Sequence, residues 1–87
     1  MATVYIPPQM RDLTGGRELL MVAGETLRQV INGLDTVCPG IASRLTTEGR
    51  IAPGLAISID GTVTSRGLLA RVEPNSEIHI IPAIGGG

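Results

Sequence analysis

Three consecutive glycines, Gly85, Gly86 and Gly87, end the 87-residue sequence, and the group they carry is a carboxylate. Glycines at a chain end build no core and cost more entropy to order than any other residue. As chemistry they make sense, because a backbone without Cβ atoms can thread a narrow channel in a partner and deliver its terminal carboxylate there. Fully extended, residues 83–87 reach at most about 17–18 Å. A carboxylate is a poor electrophile, so acyl chemistry at Gly87 requires activation. Adenylation by ATP is the usual route, and a partner enzyme must supply it. A glycine-rich terminus is also what an inert chain end looks like, and from the glycines alone both readings stand.

The other groups with chemical potential are few. Cys38 is the single cysteine, so no internal disulfide is available, and no Cys/His cluster offers a metal or iron–sulfur site. That excludes a soluble ferredoxin and makes a reducing, cytoplasmic setting the expectation. Beside Pro39 and without cationic neighbours in sequence, Cys38 is expected to be a buried, unreactive thiol. His79 has no carboxylate or nucleophile beside it in sequence and is expected to make contacts from a strand, not to act as a base. Asp60-Gly61 reads as turn chemistry, and Glu73 and Glu77 as solvated acids flanking another turn. All seven basic residues are arginines, none clustered, against eight acidic ones, a balance that argues against nucleic acid as a partner. No stretch approaches the roughly 20 apolar residues of a bilayer span, and the first residues lack a basic segment followed by an apolar run, so neither membrane nor targeting is expected.

The elements that must position these groups follow from pattern. Thr3 to Ile6 is a short β-branched and aromatic run stopped by Pro7-Pro8, a first strand. Thr14-Gly15-Gly16 is a turn signal, after which Arg17 to Val22 supplies the second strand of a hairpin. Thr26-Leu27-Arg28-Gln29 matches a capping box, so a helix starts at Thr26. Leu27, Val30, Ile31 and Leu34 then form one apolar stripe before Pro39-Gly40 ends it. Ile41 to Leu45 can add one helical turn, and residues 46–53 read as a loop. Leu55 to Asp60 alternates with period two, Asp60-Gly61 turns the chain, and Thr62 to Thr64 returns. Glu77 to Ile81 is the last strand. With 43% hydrophobic content and Tyr5 the only aromatic, the core must be built from Ile, Leu, Val, Met and Ala. Strand, strand, helix, strand or hairpin, strand in one small domain predicts an α+β fold, a β-grasp with a mixed sheet crossed on one face by the main helix. The expected organisation is one domain over residues 1–83 and a flexible glycine tail over residues 84–87.

The sequence resembles the ubiquitin-like sulfur carrier family, which includes the small subunit of molybdopterin synthase and the thiamin-pathway carrier, with greatest similarity to the cysteine-pathway carrier. The residues behind this are Val4-Tyr5-Ile6-Pro7, Thr14-Gly15-Gly16, Gly24-Glu25-Thr26-Leu27 and Ile81-Pro82-Ala83-Ile84-Gly85-Gly86. The resemblance implies a C-terminal glycine adenylated by a ubiquitin-activating-like enzyme that uses ATP and magnesium, with no cofactor bound by the carrier itself. Sulfur then replaces the adenylate, giving a thiocarboxylate that donates sulfur to a biosynthetic enzyme. It also implies a protein cosubstrate and not an enzyme. A metalloprotease that trims or releases the tail is a further implied partner. The family pattern ends in two glycines and this chain in three, so either Gly87 is itself the reactive residue or the tail is trimmed first.

If the helix covers one sheet face, alternation puts Val4, Ile6, Leu20, Val22, Leu55, Ile57, Ile59, Val63, Ile78 and Ile80 beneath it. The opposite face then carries Tyr5, Leu19, Met21, His79 and Ile81, an apolar group without internal cover. With Ile84, Gly85 and Gly86 these residues are the expected partner contacts, and Gly87 is the reacting position. The alternatives are a sheet register displaced by one residue, or residues 7–16 folding over that face as a second small core. Two other functions remain. One is a ubiquitin-like modifier joined through Gly87 to lysines of other proteins, which with no lysine of its own could not form lysine-linked chains. The other is a β-grasp binding module with an inert tail.

Overall fold

In the computed structural model the described residues are 1–82. β1 (Ala2–Tyr5) and β2 (Leu19–Val22) pair antiparallel, with Tyr5 opposite Leu19 and Thr3 opposite Met21. Their connection is not an open loop but a 3-10 helix, Pro8–Thr14, begun by a proline whose fixed φ suits a first helical position. It buries Met10 and Thr14, and the Thr14 hydroxyl bonds the carbonyls of Arg11 and Arg17.

α1 (Leu27–Val37) starts where the capping box predicts, with the Gln29 N–H donating to Thr26 Oγ1 at 3.3 Å. The glutamine reaches back one residue further than the motif requires, its Oε1 accepting from the Glu25 N–H at 2.8 Å. Leu27, Val30, Ile31 and Leu34 are all buried, each worth about 1.5–3 kcal/mol of apolar burial. Past Cys38, Asp35 Oδ1 accepts from the N–H groups of Gly40 and Ala42, tying the end of α1 to α2 (Ile41–Leu45). Residues 46–53, expected as a loop, contain a small hairpin of β3 (Thr46–Thr47) and β4 (Arg50–Ile51). Glu48 and Gly49, both at positive φ, make its two-residue turn, which a loop-like composition concealed.

β5 (Leu55–Ile59) turns through Asp60 (φ 52°) and Gly61 (φ 86°) into β6 (Thr62–Val63). The final strand, β7 (Glu77–Pro82), runs parallel to β1 and antiparallel to β5. The five-stranded sheet therefore has the order β2-β1-β7-β5-β6, and α1 packs across one face of it. This is the expected β-grasp. Val4, Ile6, Leu20, Val22, Ile57, Ile78 and Ile80 are buried with the helix stripe, and Leu55 and Ile59 pack at its margin.

Val63 is a correction. It was expected beneath the helix, but it is 56% exposed because the two-residue turn pairs Ile59 with Thr62 and so sets Val63 opposite Ser58, on the other face. The core also takes side chains the periodicity did not mark. Leu68 comes from a second 3-10 helix, Gly67–Leu69, and Ala70 and Val72 follow it. That segment is held by backbone bonds from Leu27 N–H to Ala70 O and from Val72 N–H to Glu25 O, beside the start of α1.

Candidate functional site

The pairing register decides which side chains share the uncovered sheet face. Tyr5 lies opposite both Leu19 and His79, His79 opposite Ser58, and Ser58 opposite Val63. These five residues form one row across all five strands. Met21, Thr3 and Glu77 form the next row, and Ile81 stands beside Ala56. The structure thus brings Tyr5, Leu19, Met21, His79 and Ile81 onto one face, as alternation predicts. Leu19, Met21 and Ile81 are between 43% and 59% exposed.

Neither expected alternative occurs. The register is not displaced, since Val4, Leu20, Ile78 and Ile80 all point into the core. The 3-10 helix does not cover the face either, because its Met10 joins the main core and its Leu13 packs against that core.

The chain's only aromatic residue and its only histidine are stacked at the centre of this face, the rings 4.4 Å apart and within 4° of parallel. The stack is a cross-strand pair between two parallel strands, worth about 0.5–1.5 kcal/mol beyond its area. It offers a half-exposed plate between Leu19 and Ser58, with Ile81 on the His79 side and the polar Thr3 and Glu77 in the next row. Glu77 Oε1 stands 4.0 Å from His79 Nε2. Sequence reading passed over this carboxylate although residues i and i+2 of a strand share a face. Both side chains are open to solvent, so the pair is a weak surface one. The sequence reading also missed Val63 as a member of the face. The signal was present in the Asp60-Gly61 turn, which fixes the β5–β6 register.

Asp60 does more than turn the chain. Its Oδ2 accepts from the Ser76 hydroxyl at 2.7 Å and its Oδ1 from the Glu77 N–H at 2.9 Å, so the β5–β6 hairpin is clasped to the first residue of β7. The Glu77 N–H first, and the Ser76 hydroxyl second, hold the Asp60 carboxyl below its ordinary value. This network anchors the beginning of the strand whose far end leads to the glycines.

Cys38 is 2% exposed and caps α1. Among the described residues no group of three His, Cys, Asp or Glu gathers as a metal site, and no helix is long and apolar enough to cross a membrane. Ile84, Gly85, Gly86 and Gly87, and the boundary expected at residue 83, lie outside the described residues.

A model of the ThiS family matches residues 4–87. The sulfur carrier protein CysO of Mycobacterium tuberculosis is 31% identical over 98% of this chain and 97% of its own length. Its crystal structure superposes with a TM-score of 0.90 at 29% identity, covering 97% of this chain and all of that one. A chain of the Amycolatopsis orientalis BexX/CysO complex matches over 100% of both chains, with a TM-score of 0.95 and 29% identity. The small archaeal modifier protein 1 of Methanosarcina acetivorans shares the fold, with a TM-score of 0.83 at 22% identity over 99% of this chain and 95% of that one.

Proposed function

The chain belongs to the ThiS family, and from that premise we propose that it is a sulfur carrier, a protein cosubstrate whose Gly87 carboxylate is activated and converted to a thiocarboxylate. The observation that carries the reading is end-to-end similarity to a protein named a sulfur carrier, over 98% of this chain. The chemistry belongs to partners. An adenylating enzyme holding ATP and magnesium joins the carboxylate oxygen to the α-phosphorus, and pyrophosphate leaves. A sulfur nucleophile then displaces AMP from the acyl carbon. The thiocarboxylate so formed is the nucleophile that a biosynthetic enzyme consumes, for cysteine, molybdopterin, thiamin or another sulfur-containing metabolite. A metalloprotease that trims the third glycine is a further partner in this proposal.

The carrier's own residues supply presentation. The face centred on Tyr5 and His79, with Leu19, Met21 and Ile81, is where the adenylating enzyme docks. Ile84, Gly85 and Gly86 thread its channel. An exposed apolar group on the uncovered face of a sheet is the kind of surface that marks an interaction site, and β7, which carries His79 and Ile81 of that face, is the last strand before the glycines. One relative is described in a complex, BexX/CysO, which agrees with a protein that works through a partner. The test is ATP–pyrophosphate exchange by the activating enzyme. Exchange with the full chain and none with a chain lacking Gly85, Gly86 and Gly87 supports the proposal. Equal exchange with both chains overturns it.

A further inference from the structure

The arginines of this chain differ in what surrounds them. Arg11 and Arg44 each stand 4.0 Å from a carboxylate, that of Glu18 or Asp12, and Arg17 donates from Nε to the Thr14 carbonyl. Arg66 and Arg71 are exposed, and among the described residues neither side chain makes an ion pair or a hydrogen bond. Yet the two share one hollow of about 330 Å³ beside β6, a size found among small-ligand sites, which run from about 300 to 1,000 Å³.

Local structure brings them there. β6 is two residues long, so the chain leaves the sheet at Thr64, whose N–H still bonds the Ile57 carbonyl at 2.9 Å. The Thr64 hydroxyl then accepts from the Arg66 N–H at 3.1 Å. Gly67, at φ 58°, takes the left-handed conformation that opens the second 3-10 helix. Arg71 follows between two pinned neighbours, since the Ala70 carbonyl accepts from the Leu27 N–H and the Val72 N–H donates to Glu25 O. The backbone of each arginine is held, while its guanidinium is uncommitted.

A guanidinium keeps its charge at any ordinary pH and presents a planar fork of N–H donors that matches two oxygens of a phosphate. The hydroxyls of Thr62, Thr64 and Ser65 line the same hollow. Accepting from Arg66 leaves the Thr64 O–H free to donate. The one carboxylate in the lining is Asp60, and both its oxygens are engaged, Oδ2 by the Ser76 hydroxyl and Oδ1 by the Glu77 N–H. On its other side Arg71 borders a second cavity with Glu25 and Glu73 but pairs with neither. Two free cations and three hydroxyls around a single committed carboxylate suit a tetrahedral oxyanion, and they suit neither an amine nor a metal cation.

We propose that the hollow between β6 and the second 3-10 helix is a phosphate-binding site, with Arg66 and Arg71 holding the charge and Thr62, Thr64 and Ser65 supplying neutral donors. Its ligand is a free phosphate or diphosphate anion. The site stands apart from the carrier reading and does not depend on it.

The test is an amide chemical-shift titration of the full chain with sodium phosphate and, separately, with sodium pyrophosphate. Sodium chloride holds the ionic strength constant, so that general screening is the same at every point. Saturable shifts confined to residues 62–71 are expected with at least one of the two anions, and the tighter one names the ligand. Arg66→Gln and Arg71→Gln should each weaken binding by about fivefold or more, as loss of a charge-assisted fork at an exposed site implies. Arg28→Gln serves as the control, an exposed arginine of α1 that lines a different hollow, and should bind as the parent does. Because Arg66 and Arg71 are exposed and unbonded, both glutamine variants should keep the parent's spectrum outside residues 62–71, which verifies their fold. Shifts in the parent that grow without saturating, or that spread over all the arginines, overturn the proposal. So does saturable binding that neither glutamine variant weakens.

Discussion

Gly33 sits in the middle of α1, where glycine weakens a helix, and its reason is the sheet below. A Cβ at this position would stand 2.5 Å from Val22 Cγ1, whereas carbon atoms rest roughly 3.5–4.0 Å apart. Val22 is buried and β-branched, so it cannot swing clear. Overpacking of this kind costs about 1–3 kcal/mol, and replacing glycine by alanine in a helix returns about 1 kcal/mol. Gly33→Ala should therefore destabilise by up to about 2 kcal/mol, with about 4–8 °C of Tm for each kcal/mol in a domain of this size. In a Val22→Ala background the obstructing methyl is gone, and the same substitution should stabilise by about 1 kcal/mol. Urea unfolding of the four proteins of this cycle measures both numbers. The reasoning fails if Gly33→Ala stabilises the parent, or if its effect is the same in both backgrounds.

Gly24→Ala should also destabilise, by about 1–3 kcal/mol, because its Cβ would meet the Val30 backbone nitrogen at 2.9 Å, an atom that cannot move without moving the helix; thermal unfolding followed by circular dichroism reads this. Asp60→Asn should lower Tm at neutral pH. The folded-state pKa of Asp60 is depressed below 3.8 by the Glu77 N–H and the Ser76 hydroxyl, so the stability it contributes is present above that value and is lost as pH falls through the folded pKa. The Tm gap between parent and Asp60→Asn should accordingly close in acid below 3.8, and a gap that stays constant down to the acid transition would refute the clasp. Met21→Glu and Ile81→Glu, both at exposed positions, should change stability by no more than about 0.5 kcal/mol. They should weaken the complex with the adenylating enzyme by about tenfold or more, as measured by calorimetric titration.

What was legible in the sequence was local and periodic. The capping threonine, the Leu27 stripe, the alternation of Leu55–Ile59 and the Asp60-Gly61 turn each announce themselves within a few residues, and together they fixed the helix, the clearest hairpin and the two sheet faces. The face around Tyr5 and His79 followed from alternation once the helix was placed on the other side. The stack itself did not, because parallel pairing of β1 with β7 joins residues at opposite ends of the chain and leaves no local mark. Residues 65–72 were silent for the same reason. Ala70 and Val72 are core because their backbone bonds to the start of α1, and Leu68 because the 3-10 helix before them packs against α1, a tertiary choice and not a periodicity. Val63 was misplaced by counting it as apolar before counting its register, and the short β3–β4 hairpin was hidden because two-residue strands have no period to read.

The central claim is that sulfur is loaded on the terminal glycine, and the direct measurement is the intact mass of the chain after incubation with ATP, magnesium, a sulfur source and its activating enzyme. A mass increase equal to the exchange of one oxygen for sulfur, located on Gly87 or on Gly86 after trimming and absent from a chain without residues 85–87, is the result expected. Accumulation of the adenylate alone, or of amide-linked conjugates to other proteins, under conditions where the enzyme is active would contradict it.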